Sequence, residues 1–211
     1  MIKKLALAAA IIGIIIYCIS GLSSEADVYA AQLQKFRSEK NRSFRQSSDS
    51  PLSTEQKAAF DSLKYYGPEA AYAFHCTLTR NANADTVLIQ MSDNRSEKYL
   101  RWGEAAFFPP LDLAVGTMDI ATRLTLFRKA DGRDSTLFVP FTDNTNGRET
   151  YGGGRYLDVP LPAPDSTGLT LDFNRAYNPY CAYNNDYSCP VPPAENRLRV
   201  AIPAGEKSFH E

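Results

Sequence analysis

The chain has 211 residues, 44% of them hydrophobic, which is enough to bury one compact core without disulfide or metal support. Its 23 basic and 24 acidic side chains give a formal net charge of −1. A near-neutral chain creates no long-range field that gathers a polyanion, so the composition argues against a nucleic-acid partner.

The first 24 residues have the composition of an export signal. Two lysines precede an uncharged, largely apolar run from Leu5 to Leu22, like the charged and hydrophobic regions of a secretory signal peptide. The run of about eighteen residues also reaches the lower limit for a membrane-spanning helix. Cleavage after Ser20, retention as a membrane anchor and lipidation of Cys18 stay open as alternatives. In each case the rest of the chain is predicted to be exported to the periplasm or cell envelope, anchored or secreted.

Residues 25–67 are predicted to form a helical segment that packs on the rest of the domain. From Glu25 to Arg45 the apolar residues recur at near-helical spacing, which predicts an amphipathic helix. Ser53 and Gln56 have the spacing of a capping box. A second helix is therefore predicted to begin there, to run through Leu63 and to end at the Gly-Pro pair that follows.

Residues 68–211 consist of short β-rich segments separated by turn residues. The segments are "AYAFHCTLT", "DTVLIQM", "EKYLRWGEAAFF", "ATRLTLFRK", "STLFVPFT", "RYLDV", "GLTLDFN" and "RLRVAI". This spacing predicts a mainly β domain, an antiparallel barrel or sandwich, with the two N-terminal helices at its side. Glycine turns in "DGRD" and at Asn146–Gly147 are each predicted to connect a hairpin.

Three consecutive glycines, Gly152 to Gly154, stand between Glu149 and Arg155. They fit neither the dinucleotide-binding fingerprint, which needs a further glycine at Leu157, nor a P-loop, which needs Gly-Lys-Ser/Thr before a helix. A nest of backbone N–H groups that holds an anion stays an alternative. We interpret the glycines as a bulge in a strand, which lets the loop of residues 172–196 pack closely.

Oxygen-bearing side chains also alternate in "DNTNGRE", from Asp143 to Glu149. An EF-hand needs Gly at its sixth position and Glu at its twelfth, and these places hold Arg148 and Gly154. We therefore interpret the segment as a hairpin tip. The sequence predicts neither a metal nor a cofactor.

The segment from Asp172 to Leu198 is the richest in tyrosine, asparagine and proline. Such a composition predicts an ordered loop held by side-chain hydrogen bonds, which serves either function or the fold alone. Cys181 and Cys189 lie within it, and in an oxidising compartment they form the favoured disulfide pair. Cys76 is predicted to be a buried, unpaired thiol.

Several of these segments together resemble a known family. "FTDNTNGRETYGGGRYLDV", "LDFNRAYNPYCAY", "CPVPPAENRL" and "IPAGEK" are similar to successive motifs of the bacterial and archaeal family called domain of unknown function 1684. The upstream "SPLSTEQKAAF" is similar to the N-terminal part of that family, and the resemblance implies no activity. The matching motif residues are Phe141, Asp143, Thr145, Gly147, Glu149, Thr150, Tyr151, Gly153, Gly154, Arg155, Asp172, Asn174, Tyr177, Asn178, Cys181, Cys189, Pro190, Pro193, Glu195, Asn196 and Leu198.

The motif-rich segments supply the candidate site. The first hypothesis is a pocket for a small polar ligand, since aromatic faces with a few fixed polar groups suit that task. Its predicted ligand-binding residues are Asp143, Glu149, Tyr151, Arg155, Asp172, Asn174, Tyr177, Asn178 and Asn196. The second hypothesis is a hydrolase that uses Glu149, Asp172 or Glu195 as acid or base beside Arg155. The third is a structural role in the cell envelope.

Overall fold

The computed structural model describes residues 24–109 and 121–210. The predicted export segment, residues 5–22, lies outside the described residues. Among the helices of residues 24–109 and 121–210, none is both long and apolar enough to cross a membrane.

The first helix, α1, spans Glu25–Gln46 as the amphipathic pattern predicts. The Ser24 side chain accepts a hydrogen bond from the N–H of Asp27, and the Asp27 side chain accepts one from the N–H of Ser24. This capping box satisfies free N–H groups of the first turn. Leu33 and Phe44 lie on the buried face of the helix, so α1 packs along one apolar stripe and its opposite face is exposed to solvent.

The second helix, α2, spans only Thr54–Ala59. It begins at the predicted capping box of Ser53 and Gln56, which is confirmed. Its predicted continuation through Leu63 is wrong, because Phe60 has an extended backbone with φ −72° and ψ 118°. Phe60 and Leu63 instead enter a hydrophobic cluster that includes Phe44 of α1. Burying these two side chains stabilises the fold more than one further helical turn would.

Seven strands form one antiparallel sheet. In chain order they are β1 Ala73–Arg80, β2 Thr86–Gln90, β3 Ser96–Phe107, β4 Thr122–Lys129, β5 Thr136–Phe141, β6 Arg155–Pro160 and β7 Gly168–Asp172. Their order across the sheet is β6-β5-β4-β3-β1-β7, with β2 paired to β3. Because β6 and β7 also contact each other, the sheet curls into a nearly closed barrel. The barrel alternative of the prediction is confirmed.

Alternation along the strands separates the barrel interior from its outer face. Leu157 and Val159 of β6 belong to the main hydrophobic cluster, together with Leu137 and Val139 of β5. Since successive side chains point to opposite faces, the residues between them project outward. The outer face of β5 and β6 is therefore available to build a site.

The two predicted glycine hairpins have different outcomes. Gly132, with φ 67°, lies in the turn between the antiparallel neighbours β4 and β5, which confirms the "DGRD" hairpin. The Asn146–Gly147 hairpin is wrong, since β6 begins only at Arg155. The Thr145 carbonyl instead accepts three backbone N–H groups, those of residues 148, 149 and 150, and forms a compact turn.

The predicted glycine bulge is also wrong, because the glycines precede β6. Gly152 and Gly153 lie in a turn that the Gly154 N–H closes by donating to the Tyr151 carbonyl at 3.2 Å. Gly154 has φ 94°, and a Cβ there would lie 2.7 Å from Pro192 Cγ. The predicted close approach of the loop is therefore found at Gly154.

The predicted eighth strand, "RLRVAI", does not form. Leu198, Val200 and Ile202 are buried as the alternation predicts, but only a single β-bridge joins this segment to the chain after β5. Both edges of β5 are already occupied by β4 and β6. The segment is therefore restricted to hydrogen bonds with residues beyond the end of β5, such as the Leu198 N–H to the Thr142 carbonyl at 2.8 Å.

Candidate functional site

Arg155 and Asp143, two predicted ligand-binding residues, form a buried ion pair. Arg155 opens β6 and Asp143 follows β5, so the pairing of these strands brings the two side chains together. Arg155 Nη2 lies 2.6 Å from Asp143 Oδ2, and both side chains are 0% exposed. Arg155 also donates to the backbone carbonyls of Ile202, at 2.9 Å, and of Ala204. The guanidinium therefore holds the C-terminal segment against the barrel.

Side chains of the turn after β5 hold Asp143 in turn. Asp143 Oδ1 accepts from the N–H of Thr145 at 2.7 Å and from its hydroxyl at 2.6 Å. Asn146 Oδ1 accepts from the Asp143 N–H at 2.6 Å, and Asn146 Nδ2 donates to the Tyr151 carbonyl at 2.8 Å. The alternating oxygens of "DNTNGRE" thus satisfy the backbone of a tight turn.

A second buried acid, Glu206, joins three parts of the chain. Its side chain is 1% exposed and lies 2.6 Å from Lys40 Nζ of α1. It also accepts from the Tyr183 hydroxyl, from the Tyr65 hydroxyl at 3.3 Å and from the Asn178 N–H at 2.8 Å. Glu206 therefore fixes α1 and the loop of residues 177–190 to the C-terminal segment.

The three predicted ligand-binding asparagines are buried and bind backbone groups. Asn196 Oδ1 accepts from the Thr125 N–H at 2.7 Å, and its Nδ2 donates to the Thr125 carbonyl at 2.9 Å. Asn174 makes the same pair of bonds with Glu69, at 3.0 and 2.8 Å. Asn178 donates to a carbonyl of the C-terminal segment at 2.8 Å. Buried backbone groups need hydrogen-bond partners. The three asparagine amides supply them and so stabilise the irregular segments of the chain that they join.

The three candidate catalytic carboxylates have separate surroundings. Asp172 accepts a hydrogen bond from the Tyr29 hydroxyl at 2.9 Å. Glu195 pairs with Arg101 at 2.6 Å. Glu149 lines a recess of about 510 Å³ beside the glycine turn. Neither Asp172 nor Glu195 lines that recess, so the structure does not bring the three together in one cleft.

A recess of about 640 Å³ lies on the outer face of the barrel, between α1 and the loop of residues 177–190. We call it the tyrosine recess. Phe36, Lys40 and Phe44 of α1 form one wall, and Phe138 of β5 belongs to the barrel face opposite. The tyrosines that line it are Tyr99, Tyr156, Tyr177, Tyr180 and Tyr187.

The carboxylate of Asp158 projects from β6 into the tyrosine recess. It stays accessible to solvent, yet protein surrounds it on most sides, and this partial burial raises the pKa of the Asp158 carboxyl. Tyr177 Oη donates to Asp158 Oδ2 at 2.8 Å. Burial and the nearby Asp158 charge raise the pKa of Tyr177, so its hydroxyl remains a donor.

Lys40 connects the tyrosine recess to the buried acid. Its Nζ lies 2.6 Å from Glu206 and 4.6 Å from the centre of the Tyr177 ring. A lysine in this position is held by the acid and by the face of the aromatic ring. Lys40, a charged residue of the recess wall, is therefore held by an acid that does not line the recess and by a ring that does.

Cys181 and Cys189 are free thiols that lie side by side. The Cys181 N–H donates to Cys189 Sγ at 3.1 Å, and Tyr151 Oη lies 3.8 Å from Cys181 Sγ. The hydrogen bond from the Cys189 thiol lowers the pKa of Cys181 to about 7, and the Tyr151 hydroxyl lowers it further against the effect of burial. The same contact raises the pKa of Cys189, since one thiol of the pair stays protonated.

The structure brings few of the predicted ligand-binding residues together. Tyr177 lines the tyrosine recess, Glu149 lines the recess beside the glycine turn, and Asp143 lines a third one of about 630 Å³. Six line none of these three recesses: Tyr151, Arg155, Asp172, Asn174, Asn178 and Asn196.

Sequence reasoning missed most of the residues that line the tyrosine recess, among them Lys40, Tyr156 and Asp158. A signal for two of them was present, since alternation in "RYLDV" puts Tyr156 and Asp158 on the face opposite Leu157 and Val159. Nothing in the sequence showed that α1 would line a recess together with this face.

Within residues 24–109 and 121–210, no group of three or more His, Cys, Asp and Glu side chains is arranged to hold a metal ion. The description of the family that matches the chain is "Protein of unknown function (DUF1684)", and the match covers residues 58–207. The chain belongs to this family. The matched residues therefore include the Arg155–Asp143 ion pair and β6, whereas α1 precedes them.

The DUF1684 chain is also similar to a solved structure, the solution NMR structure of an uncharacterized protein of Haloarcula marismortui. The two share 38% sequence identity with a TM-score of 0.65, over 86% of this chain and 95% of that chain. A comparison with curated proteins finds no match.

Proposed function

We propose that this DUF1684 protein binds a small polar ligand that contains a ring in the tyrosine recess. The observation that carries the proposal is that Asp158 and five tyrosines line one recess of about 640 Å³. That volume lies within the range of small-molecule sites, which combine aromatic walls with a few fixed polar groups.

The polar groups of the tyrosine recess favour a ligand that carries hydroxyl or amino groups. Among residues 24–109 and 121–210, Asp158 takes part in no ion pair, so its carboxylate can accept hydrogen bonds from a ligand. Asp134 and Lys129 line the same recess and add an acceptor and a donor. A sugar or a cyclic amine has both the polar groups and the ring face that these walls fit.

A thermal-shift screen of the full-length chain tests the proposal. Monosaccharides, disaccharides, nucleosides and cyclic amines are added one at a time, and a compound that binds the native state raises the melting temperature. Asp158→Asn is expected to reduce that shift, and Asp165→Asn, which changes an exposed acid outside the recess, is expected to leave it unchanged. The proposal fails if no compound shifts the wild-type protein, or if both variants respond equally.

A hydrolase is the second candidate, and Asp158 is the observation that favours it. Burial raises the pKa of the Asp158 carboxyl against the opposing effects of the Tyr177 hydroxyl and the Lys40 charge, and a raised pKa is what a general acid requires. The alternative acid or base beside Arg155 lacks such support, because the Arg155 side chain is enclosed. Turnover of a compound found in the screen, lost in Asp158→Asn, would establish an enzyme; unchanged turnover would exclude this role for Asp158.

We also propose that residues 5–22 export the protein, so that the tyrosine recess meets ligands outside the cytoplasm. The uncharged apolar run after two lysines supports this. Cell fractionation and the N-terminal sequence of the exported chain distinguish a cleaved signal from a membrane anchor, and recovery in the cytoplasmic fraction overturns the proposal.

A further inference from the structure

We infer that Cys181 and Cys189 form a reversible redox site that acts on the wall of the tyrosine recess. Cys181 is the attacking thiol and Cys189 the resolving thiol. The link to the recess rests on the function proposed above, whereas the thiol chemistry does not depend on any ligand.

The geometry of the two thiols supports bond formation. The Cys181 N–H already donates to Cys189 Sγ at 3.1 Å, so the two residues lie side by side across the loop before any bond forms. A disulfide requires the Cβ atoms to lie about 3.5–4.5 Å apart, a condition that only neighbouring side chains meet. The seven residues between the cysteines form a turn that returns the chain to the same place.

The different exposure of the two thiols sets their order of reaction. Cys181 is partly exposed, whereas Cys189 is 7% exposed. A reagent in solution therefore meets Cys181 first. Tyr151 Oη, 3.8 Å from Cys181 Sγ, can donate a hydrogen bond to the thiolate that attacks.

The reaction balances as an exchange with a small-molecule disulfide of the glutathione class. The Cys181 thiolate attacks one sulfur of the oxidant, forms a mixed disulfide and releases one thiolate. Cys189, after losing its proton to solvent, attacks Cys181 Sγ and displaces the second molecule of thiol. The oxidant is reduced to two thiols, and the two cysteines are oxidised to one disulfide.

Cys189 belongs to the wall of the recess and is anchored to the barrel. Its N–H donates to Ser92 Oγ at 3.1 Å, and its carbonyl accepts from the Ser92 N–H at 2.9 Å. Cys181 instead lies in the short helix Tyr180–Ala182. Bond formation is thus expected to displace that short helix toward the fixed Cys189.

Two recess tyrosines flank the cysteine pair. Tyr180 precedes Cys181, Tyr187 lies two residues before Cys189, and their ring centres are 5.3 Å apart in an edge-to-face contact. Both rings line the tyrosine recess. A disulfide that closes the loop restrains this ring pair, so oxidation changes the shape or the mobility of one recess wall.

Mass spectrometry of the full-length chain in glutathione redox buffers tests the bond. Trypsin cleaves after Arg175 and Arg197, which leaves both cysteines, and no other, in the peptide Ala176–Arg197. Oxidised glutathione is expected to give that peptide a loss of two hydrogen atoms, and excess reduced glutathione is expected to reverse it. A peptide whose two thiols stay alkylatable in every buffer overturns the inference.

Single variants test the order of the two thiols. Cys189→Ser is expected to stop at one glutathione bound to Cys181, because the resolving thiol is missing. Cys181→Ser is expected to leave Cys189 without an adduct, because it is 7% exposed. An adduct on Cys189 in the second variant, or none on Cys181 in the first, contradicts the assigned roles.

Side-chain NMR signals test the link to the recess separately. Oxidation is expected to shift the ring signals of Tyr180 and Tyr187, and to leave the indole signal of Trp102, which lies outside the recess, unchanged. Unchanged tyrosine signals in a chain that has formed the bond overturn the coupling to the recess. Failure of the thermal-shift screen concerns ligand binding alone, so the two proposals fail on different results.

Discussion

At the scale of single residues, the most prominent motif side chains hold the fold together. Arg155 has carbonyl and carboxylate partners around its guanidinium, and Asp143 has the turn after β5 around its carboxylate. Burying such a pair is costly, and it is tolerated because nearly every polar atom has a partner. A motif rich in charged groups thus acts here as a framework for the barrel and its C-terminal segment.

Removal of the Arg155 charge tests this role. Arg155→Met is expected to lower the free energy of unfolding by about 3–5 kcal/mol, because it leaves the Asp143 carboxylate buried without its partner. The matched control is Arg123→Met, whose partner Glu104 lies 3.4 Å away at the surface and whose loss should cost less than about 1 kcal/mol. Urea denaturation measures both. Equal effects of the two variants would contradict the framework role.

Cys181 is expected to react with iodoacetamide at neutral pH. Only the thiolate reacts, so the alkylation rate should rise with pH and reach half its maximum near the pKa of about 7. Cys76 is the internal control, because burial raises its pKa to about 11 and its rate should stay low up to that pH. Peptide mapping after timed alkylation gives both profiles. A midpoint for Cys181 near the ordinary thiol value of about 8.5 would refute the thiol–thiol contact.

At the scale of elements, the glycine turn fixes how the loop of residues 172–196 meets the barrel. Gly154 has φ 94°, and a Cβ there would lie 2.7 Å from the Phe141 carbonyl oxygen and 2.7 Å from Pro192 Cγ. Neither neighbour can move freely, since one is strand backbone and the other is a proline ring. The last glycine before β6 is therefore required by both conformation and space.

Gly154→Ala and Gly132→Ala separate these two requirements. Both glycines have positive φ, but Gly132 has no neighbour within 4 Å of the added Cβ. Gly132→Ala is expected to cost about 1 kcal/mol for the left-handed backbone alone. Gly154→Ala should cost at least about 2 kcal/mol more, because the steric overlap adds to the backbone strain. Equal losses of unfolding free energy in urea denaturation would show that the close approach of Phe141 and Pro192 to Gly154 adds no cost.

The elements were largely predictable from sequence, and the site was not. Near-helical apolar spacing predicts α1, a capping box predicts the start of α2, and β-rich runs between turn residues predict the seven strands, because all three patterns are local. A local pattern also gave one wrong strand: "RLRVAI" has the alternation of a strand, but both edges of β5 are already paired with other strands. Polar motif residues suggested a ligand, yet most of them satisfy buried backbone. Which side chains meet in the tyrosine recess depends on where α1 lies relative to β5 and β6, and no local pattern shows this.

At the scale of the whole molecule, α1 converts an outer barrel face into a recess. Lys40 connects the two parts, since it pairs with the buried Glu206 and lies against the recess tyrosine Tyr177. The same acid binds Tyr183 of the loop that forms the facing wall. One buried carboxylate thus sets the relative position of both walls.

Loss of the Lys40 charge is expected to loosen this junction. Lys40→Met should lower the free energy of unfolding by about 1–3 kcal/mol, because Glu206 loses a charged hydrogen-bond partner. Lys35→Met, an exposed change on the same helix, is the control and should have little effect. Thermal unfolding of the three proteins measures the difference. Similar melting temperatures for all three would show that Glu206 does not need Lys40.

Ligand binding between α1 and the outer face of β5 and β6 is the property on which the proposed function depends. NMR chemical-shift mapping of the full-length chain, with a compound found in the thermal-shift screen, tests it most directly. We expect the largest changes at four residues that line the tyrosine recess, Tyr156, Asp158, Tyr177 and Tyr187. Changes centred instead on Glu149 and Arg148, in the recess beside the glycine turn, would contradict it.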